Sequence, residues 1–245
     1  MIRGLYTAAS GMIYENRRQE NLAQNVANIQ TPGFKQSYIS AISQDKVISN
    51  QNGKNELGSL TFKVAIDQQV LNLAQGDLIS SENTLDFAIE GNGFFTLQGP
   101  NGNLYTRDGR FEIDETGTLV SKEGDPVLVT NAQGNQQTVQ VTEDISVSDG
   151  GAFTVGNNTY QLTISTLINA DQLAYQGDSV FAYNGPVGVA GEYTIHQNMT
   201  EGSNVDATDA MVQMIAVNRS LQTNSRVLTT IDETLKSTVS EIGRV

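Results

Sequence analysis

Residues 203–245 read SNVDATDAMVQMIAVNRSLQTNSRVLTTIDETLKSTVSEIGRV, and the spacing of their apolar side chains decides how the rest of the chain is read. Alternating steps of three and four residues pick out Ala207, Ala210, Met214, Val217, Leu221, Asn224, Leu228, Ile231, Leu235, Thr238 and Ile242. All but Asn224 and Thr238 are apolar, the seam expected of a long helix that packs along another helix. Ser203-Asn204-Val205-Asp206 supplies a capping signal ahead of it. At about 1.5 Å per residue the helix would run to roughly 55 Å, too long to bury itself against a small β domain.

The opposite end has the same texture. Residues 2–29 contain no proline and place Leu5, Ala8, Met12, Leu22, Val26 and Ile29 on a seam, with Glu15 and Gln19 as polar interruptions. Pro32 bars its predecessor from the helical conformation and Gly33 permits a sharp exit, so Thr31, Pro32 and Gly33 are expected to form a hinge. Between the ends, short apolar runs such as Leu85–Ile89, Phe94–Leu97, Phe111–Ile113 and Thr159–Ile164 are punctuated by Asn101-Gly102, Asp108-Gly109, Thr116-Gly117, Gln133-Gly134 and Asp149-Gly150. That is the pattern of hairpins and meanders. The expected fold is α+β: long N- and C-terminal helices forming a coiled-coil-like pair, with a central all-β domain. The expected boundaries are an N-terminal helix over 1–33, an extended connection over 34–80 and a β domain over 81–180. A return connection over 181–202 then leads to a C-terminal helix over 203–245 that packs with 1–33. The polar run Gln51-Asn52-Gly53-Lys54-Asn55 reads as a loop inside the first connection, with one or two strands beside it.

Composition narrows the function. The formal charge is −13, and it is unevenly spread. Residues 1–30 carry Arg3, Arg17 and Arg18 against Glu15 and Glu20, a net +1; residues 201–245 carry four basic and six acidic side chains, a net −2; the middle holds −12. An acidic middle repels phosphate backbones and anionic lipid, so no nucleic-acid partner is expected, and the nearly neutral ends are suited to touching protein. There is no cysteine, which removes disulfides and thiolate sites together. The N-terminus lacks the apolar run and cleavage site of a secretory signal, and no run approaches the roughly 18 apolar residues of a membrane span.

Candidate chemistry is thin. The single histidine, His196, alternates with Tyr193 and Ile195 and is expected to face solvent; with no second histidine and no cysteine, a zinc site or a Ser-His-Asp triad lacks material. Asp108, Asp114, Glu115, Glu123 and Asp125 crowd one region, but their spacing fails a calcium loop, and acidic residues at hairpin turns account for them. Gly91-Asn92-Gly93 opens a strand rather than a helix, so a turn or bulge is expected instead of a nucleotide loop. Catalytic, cofactor and metal sites are all expected to be none, and no small-molecule substrate is expected.

Three stretches resemble the flagellar basal-body rod and hook family. The first is Ala8-Ala9-Ser10-Gly11-Met12 with Gln24-Asn25-Val26-Ala27-Asn28-Ile29-Gln30-Thr31-Pro32-Gly33-Phe34-Lys35. The second is Thr84-Leu85-Asp86-Phe87-Ala88-Ile89-Glu90-Gly91-Asn92-Gly93-Phe94-Phe95, followed by Tyr105-Thr106-Arg107-Asp108-Gly109 and Gly117-Thr118-Leu119-Val120. The third is Glu201-Gly202-Ser203-Asn204-Val205-Asp206 leading into Met211-Val212-Gln213-Met214-Ile215 and Asn218-Arg219. The chain departs from the family pattern at Leu221, where an aromatic residue is common, and at Gln24 and Val26, where Asn and Leu are usual. The short link after Pro32 resembles proximal and distal rod proteins and their hook-basal-body paralogues more than the longer hook subunit.

The resemblance implies a structural subunit of the basal-body rod that polymerises into a tubular drive shaft through its terminal helices. It also implies partners, namely copies of itself, other axial proteins of rod and hook, and the flagellar type III export apparatus. The implied location is the basal body in the periplasm or cell-wall zone, reached without a cleaved signal peptide. The residues expected to carry assembly are Leu5, Met12, Leu22, Val26, Ile29, Met214, Val217, Leu221, Leu228, Ile231 and Leu235. The rival readings are a secreted trimeric β-domain adhesin or phage-tail-like protein and a carboxylate-dependent glycosidase.

Overall fold

The computed structural model describes residues 2–49, 56–141, 145–168, 172–177, 179–189 and 191–242, with side chains described outside 2–3, 42–49, 56–68 and 189. The loop expected at Gln51–Asn55 lies outside the described residues. The chain divides into two compact units.

One unit gathers Met1–Ala27, Ser37–Val70 and Asp206–Val245. Its helices are α1, Ile2–Ala27, and α2, Ala207–Ile242. Asp206 caps α2: its Oδ1 accepts the backbone N–H of Thr208 at 2.7 Å and of Asp209 at 3.1 Å, satisfying donors that the first turn leaves free. The two helices run antiparallel. Gly4 lies against Ile231, Gly11 against Asn224, and Glu15 Oε1 accepts the Ser220 hydroxyl at 2.9 Å, so α2 numbers fall as α1 numbers rise.

α1 ends at Ala27, two residues short of the proline-free 2–29 stretch and six short of the 1–33 boundary, because Asn28 turns the chain. Its carbonyl accepts the Thr31 N–H at 3.1 Å and its side-chain oxygen accepts the Thr31 hydroxyl at 3.2 Å. In the connection over 34–80, where one or two strands were expected, Ser37–Ser49 and Glu56–Leu71 pair as a two-stranded sheet and a third, short strand, Leu78–Ser80, follows. Asn25 fixes where that sheet begins. Its buried amide donates to the Ser37 carbonyl at 2.8 Å and accepts the Ser37 N–H at 3.1 Å, as a neighbouring strand would.

The second unit comprises Asn28–Gln36 and Leu71–Val205 and is antiparallel β throughout. A six-stranded sheet has the order Leu173–Gly177, Val180–Tyr183, Gly102–Thr106, Phe94–Gly99, Ile164–Leu167, Val187–Val189. A four-stranded sheet has the order Gln136–Thr138, Leu128–Asn131, Asn158–Leu162, Ala152–Val155. Alternation along Phe94–Gly99 sends Phe95 and Leu97 into the main core with Phe87, Ile89, Phe111, Leu119, Val129 and Leu162, and Phe94 into a second cluster with Tyr105, Phe181 and Tyr183. Residues 181–202, read as a return connection, instead carry strands. Tyr193–Gln197 pairs with Phe87–Gly91 and Met199–Glu201 pairs with Leu78–Ser80. Their partners are more than a hundred residues away in sequence, which local periodicity does not register.

Thr31-Pro32-Gly33 sits as a docked turn in this unit. Gly33 adopts φ +69°, its N–H donates to the Glu201 carbonyl at 2.7 Å, and a Cβ there would lie 2.3 Å from the Asp108 backbone nitrogen. Gly33→Ala is expected to destabilise the β unit by roughly 3 kcal/mol, from left-handed strain plus backbone displacement, measured as a lower urea midpoint.

Candidate functional site

Three charged side chains meet in the interior of the β unit. Glu201 Oε1 is 2.6 Å from Lys35 Nζ and Glu201 Oε2 is 2.9 Å from Arg107 Nη1. The side chains of Lys35 and Glu201 are 0% exposed and that of Arg107 is 3% exposed. The remaining contacts are backbone dipoles: Lys35 Nζ donates to the Ala74 carbonyl at 2.8 Å, Arg107 donates to the carbonyls of Ile89 at 3.2 Å and Gly91 at 2.7 Å, and Glu201 Oε1 accepts the Gly76 N–H at 3.0 Å. The guanidinium also lies 5.2 Å from the Phe94 ring centroid. Arg107 Nε has no partner among the described residues.

Burial dominates the electrostatics. It holds the Lys35 ammonium below the ordinary lysine value, against the opposing pull of Glu201, and it lowers Arg107 in the same way. Removing one member of such a buried set costs roughly 3–5 kcal/mol, because the other charges lose their counterion in a low dielectric.

Each ion comes from a different stretch of those quoted above, Lys35 from the first, Arg107 from the second and Glu201 from the third. Sequence reading placed them in motifs but assigned them no role. The available signal was slight: Lys35 follows Gly33-Phe34 and Glu201 precedes Gly202, but their other neighbours, Gln36 and Thr200, are polar. Gly91-Asn92-Gly93 forms a tight reversal, with φ of +107° at Gly91 and +153° at Gly93, and its first carbonyl serves Arg107.

The expected seam residues line the helix pair. On α2, Ala210 and Val217 are buried, and Met214, Leu221, Leu228, Ile231 and Leu235 are half-buried; on α1, Ala8 and Leu22 are buried and Leu5, Met12 and Val26 half-buried. Ile29 lies past the end of α1 and is half-buried. A second set of apolar side chains stands off this seam in solvent: Tyr6 at 65% and Ile13 at 61% on α1, Met211 at 59%, Val212 at 60% and Ile215 at 55% on α2. Heptad counting missed these.

The other candidates resolve into local structure. His196 is a third exposed, with Nε2 2.7 Å from Glu90 Oε2. Asp108 pairs with Arg110 at 2.6 Å, and Asp114 accepts the Thr116 hydroxyl at 2.7 Å and the N–H groups of Thr118 and Thr116, which hold its carboxyl below the usual range. No group of three or more potential metal ligands occurs among the described residues.

A β unit braced by buried charges, in a chain whose terminal helices pair and leave apolar side chains in solvent, has the make-up of a structural protein. Family comparison agrees: "Flagella basal body rod protein" matches residues 5–35, "Flagellar hook protein FlgE/F/G D1 domain" matches 88–166, and "Flagellar basal body rod FlgEFG protein C-terminal" matches 196–241. The chain is 32% identical to the flagellar basal-body rod protein FlgG of Bacillus subtilis, covering 98% of this chain and 99% of that one. It is 32% identical to FlgG of Borreliella burgdorferi, covering 96% and 97%, and 30% identical to the rod protein FlgF of Rhizobium meliloti, covering 99% of each. The chain belongs to the flagellar basal-body rod protein family.

The Lys35 proton carries a signed pH prediction. The folded chain holds it less tightly than the unfolded chain, so between the depressed value and the ordinary 10.5 the unfolded state binds more protons, and this group's contribution to stability rises as pH rises across that window. The stability difference between wild type and Lys35→Met, from urea unfolding at successive alkaline pH values, is expected to shift toward the wild type; a flat difference refutes the assignment.

Proposed function

We propose that this chain is a structural subunit of the bacterial flagellar basal-body rod, polymerising into a tubular drive shaft through α1 and α2. It is not an enzyme: its relatives are rod proteins. The end-to-end matches leave the adhesin, phage-tail and glycosidase readings without support. Its partners in this reading are copies of itself and the other axial proteins of rod and hook. Delivery is by the flagellar type III export apparatus, and the place of action is the extracytoplasmic part of the basal body.

The observation that carries the reading is the exposed apolar set on the helix pair. Tyr6 and Ile13 lie one heptad apart on one face of α1, and Met211, Val212 and Ile215 cluster at the start of α2. In the antiparallel register these patches are offset by about 13 residues, roughly 19 Å along the pair at about 1.5 Å per residue. Two different patches, displaced along an axis, match a head-to-tail contact that propagates instead of closing into a dimer. Exposed stripes of this kind mark interfaces. The seam residues Leu5, Met12, Leu22, Val26, Met214, Val217, Leu221, Leu228, Ile231 and Leu235 then align the pair, Ile29 continues the chain beyond it, and the off-seam set makes the coiled-coil-like contacts with neighbours. The docked turn Thr31-Pro32-Gly33 sets where the axial helix hands over to the body.

Ile13→Asp and Val212→Asp place charges at positions already in solvent, so the circular-dichroism spectrum and urea midpoint are expected to stay within about 0.5 kcal/mol of wild type. Polymerisation, followed by sedimentation and electron microscopy, is expected to be lost, and motility with it. Normal polymers from both variants would overturn the assignment of these faces.

A further inference from the structure

The β unit is stitched shut by residues 198–204. The Asn198 N–H donates to the Asp86 carbonyl at 2.9 Å and the Ser81 N–H to the Asn198 carbonyl at 2.8 Å. Thr200 pairs with Ile79, and the Gly202 N–H donates to the Asp77 carbonyl at 2.7 Å. The Asn204 amide accepts the Gln36 N–H at 2.7 Å and donates to the carbonyls of Asn72 and Ala74, each at 2.9 Å. The fit is close: a Cβ at Gly76 would come 2.1 Å from the Gly202 carbonyl oxygen. Seven residues thus hold both the 33–36 turn and the 72–86 segment, and they carry the only carboxylate that the described residues set against Lys35 and Arg107.

A chain lacking this segment has both sheets' strands but two cations in its interior and no anion for either. Lys35 and Glu201 are 166 residues apart, and Arg107 and Glu201 are 94 apart, so no local folding step satisfies the cluster. Closing the core around unpaired cations is disfavoured. We propose that residues 198–204 are the closing clasp of the β unit and that the unit has no closed state without them. A chain emerging N-terminus first, from a ribosome or any narrow passage, then keeps its β unit open until about residue 204 is free, when nearly all of it has emerged. The inference goes beyond the rod reading and does not depend on it.

Native-state hydrogen exchange on the full-length chain in sub-denaturing urea tests this. The amides of Gly33 and Gly202 report the clasp, and those of Leu162 and Thr163, bonded to the Gly151 and Leu128 carbonyls, report the core. All four are expected to share one opening free energy and one urea dependence. In Glu201→Gln, protection of clasp and core amides is expected to fall together by at least about a hundredfold. Clasp amides that open tenfold or more often than core amides in wild type, or a Glu201→Gln chain that keeps core protection while losing it only at Gly33 and Gly202, would show a closed body without its clasp and overturn the proposal. A Glu201→Gln chain with no protection anywhere leaves the wild-type measurement to decide.

Discussion

One carboxylate organises this molecule. Glu201 neutralises cations delivered from residues 35 and 107, and in doing so it brings the chain that has just left α1 beside the chain about to enter α2. Within their own unit the helices run antiparallel, as the Gly4–Ile231, Gly11–Asn224 and Glu15–Ser220 neighbours record. Two cations against one anion leave this cluster net positive, which the carbonyls of Ala74, Ile89 and Gly91 and the face of Phe94, turned toward it, offset. The unusual backbone at Gly91 therefore has an electrostatic purpose: the reversal aims a carbonyl at Arg107.

What could be read from the sequence was whatever repeats over short range. The α2 seam falls on the less exposed side of the helix from Ala210 to Thr238, because a stripe of that strength has few alternatives to packing on a partner helix. Asp206 caps it and the strands around Phe87 and Phe95 form, since capping and alternation are local rules. Strands at 187–201 and the charge cluster were not legible. Their logic is pairing across most of the chain, and the Lys35 ammonium in isolation looks like any surface lysine. The hinge reading of Thr31-Pro32-Gly33 recognised the break in the helix but not the backbone of Arg107 and Asp108 that the glycine packs against.

The stripe that heptad counting assigned to assembly is also the face along which the two helices of one chain meet. Counting finds the strongest periodic face, and that face is the one the chain covers with its own second helix. Glu15 and Asn224 interrupt it with polar groups, and Glu15 meets Ser220, so the seam specifies register as well as adhesion. Apolar side chains also stand in solvent off the seam, at Tyr6, Ile13, Met211, Val212, Ile215, Val227 and Val239, and at its far end, at Ile242.

Charge and apolar exposure are partitioned in the same sense. Residues 31–200 hold −12 while the terminal stretches hold +1 and −2. Like-charged bodies repel wherever they approach within about a Debye length, roughly 8 Å at physiological ionic strength, so copies of this chain gain little by meeting through the middle. In the proposed assembly attraction comes from surfaces where charge is nearly balanced and apolar area is uncovered, and the terminal helices combine the two. In that assembly the acidic body acts as a restraint on association, keeping separate chains apart until their helices are aligned, and the apolar helix faces supply the contact that overcomes it.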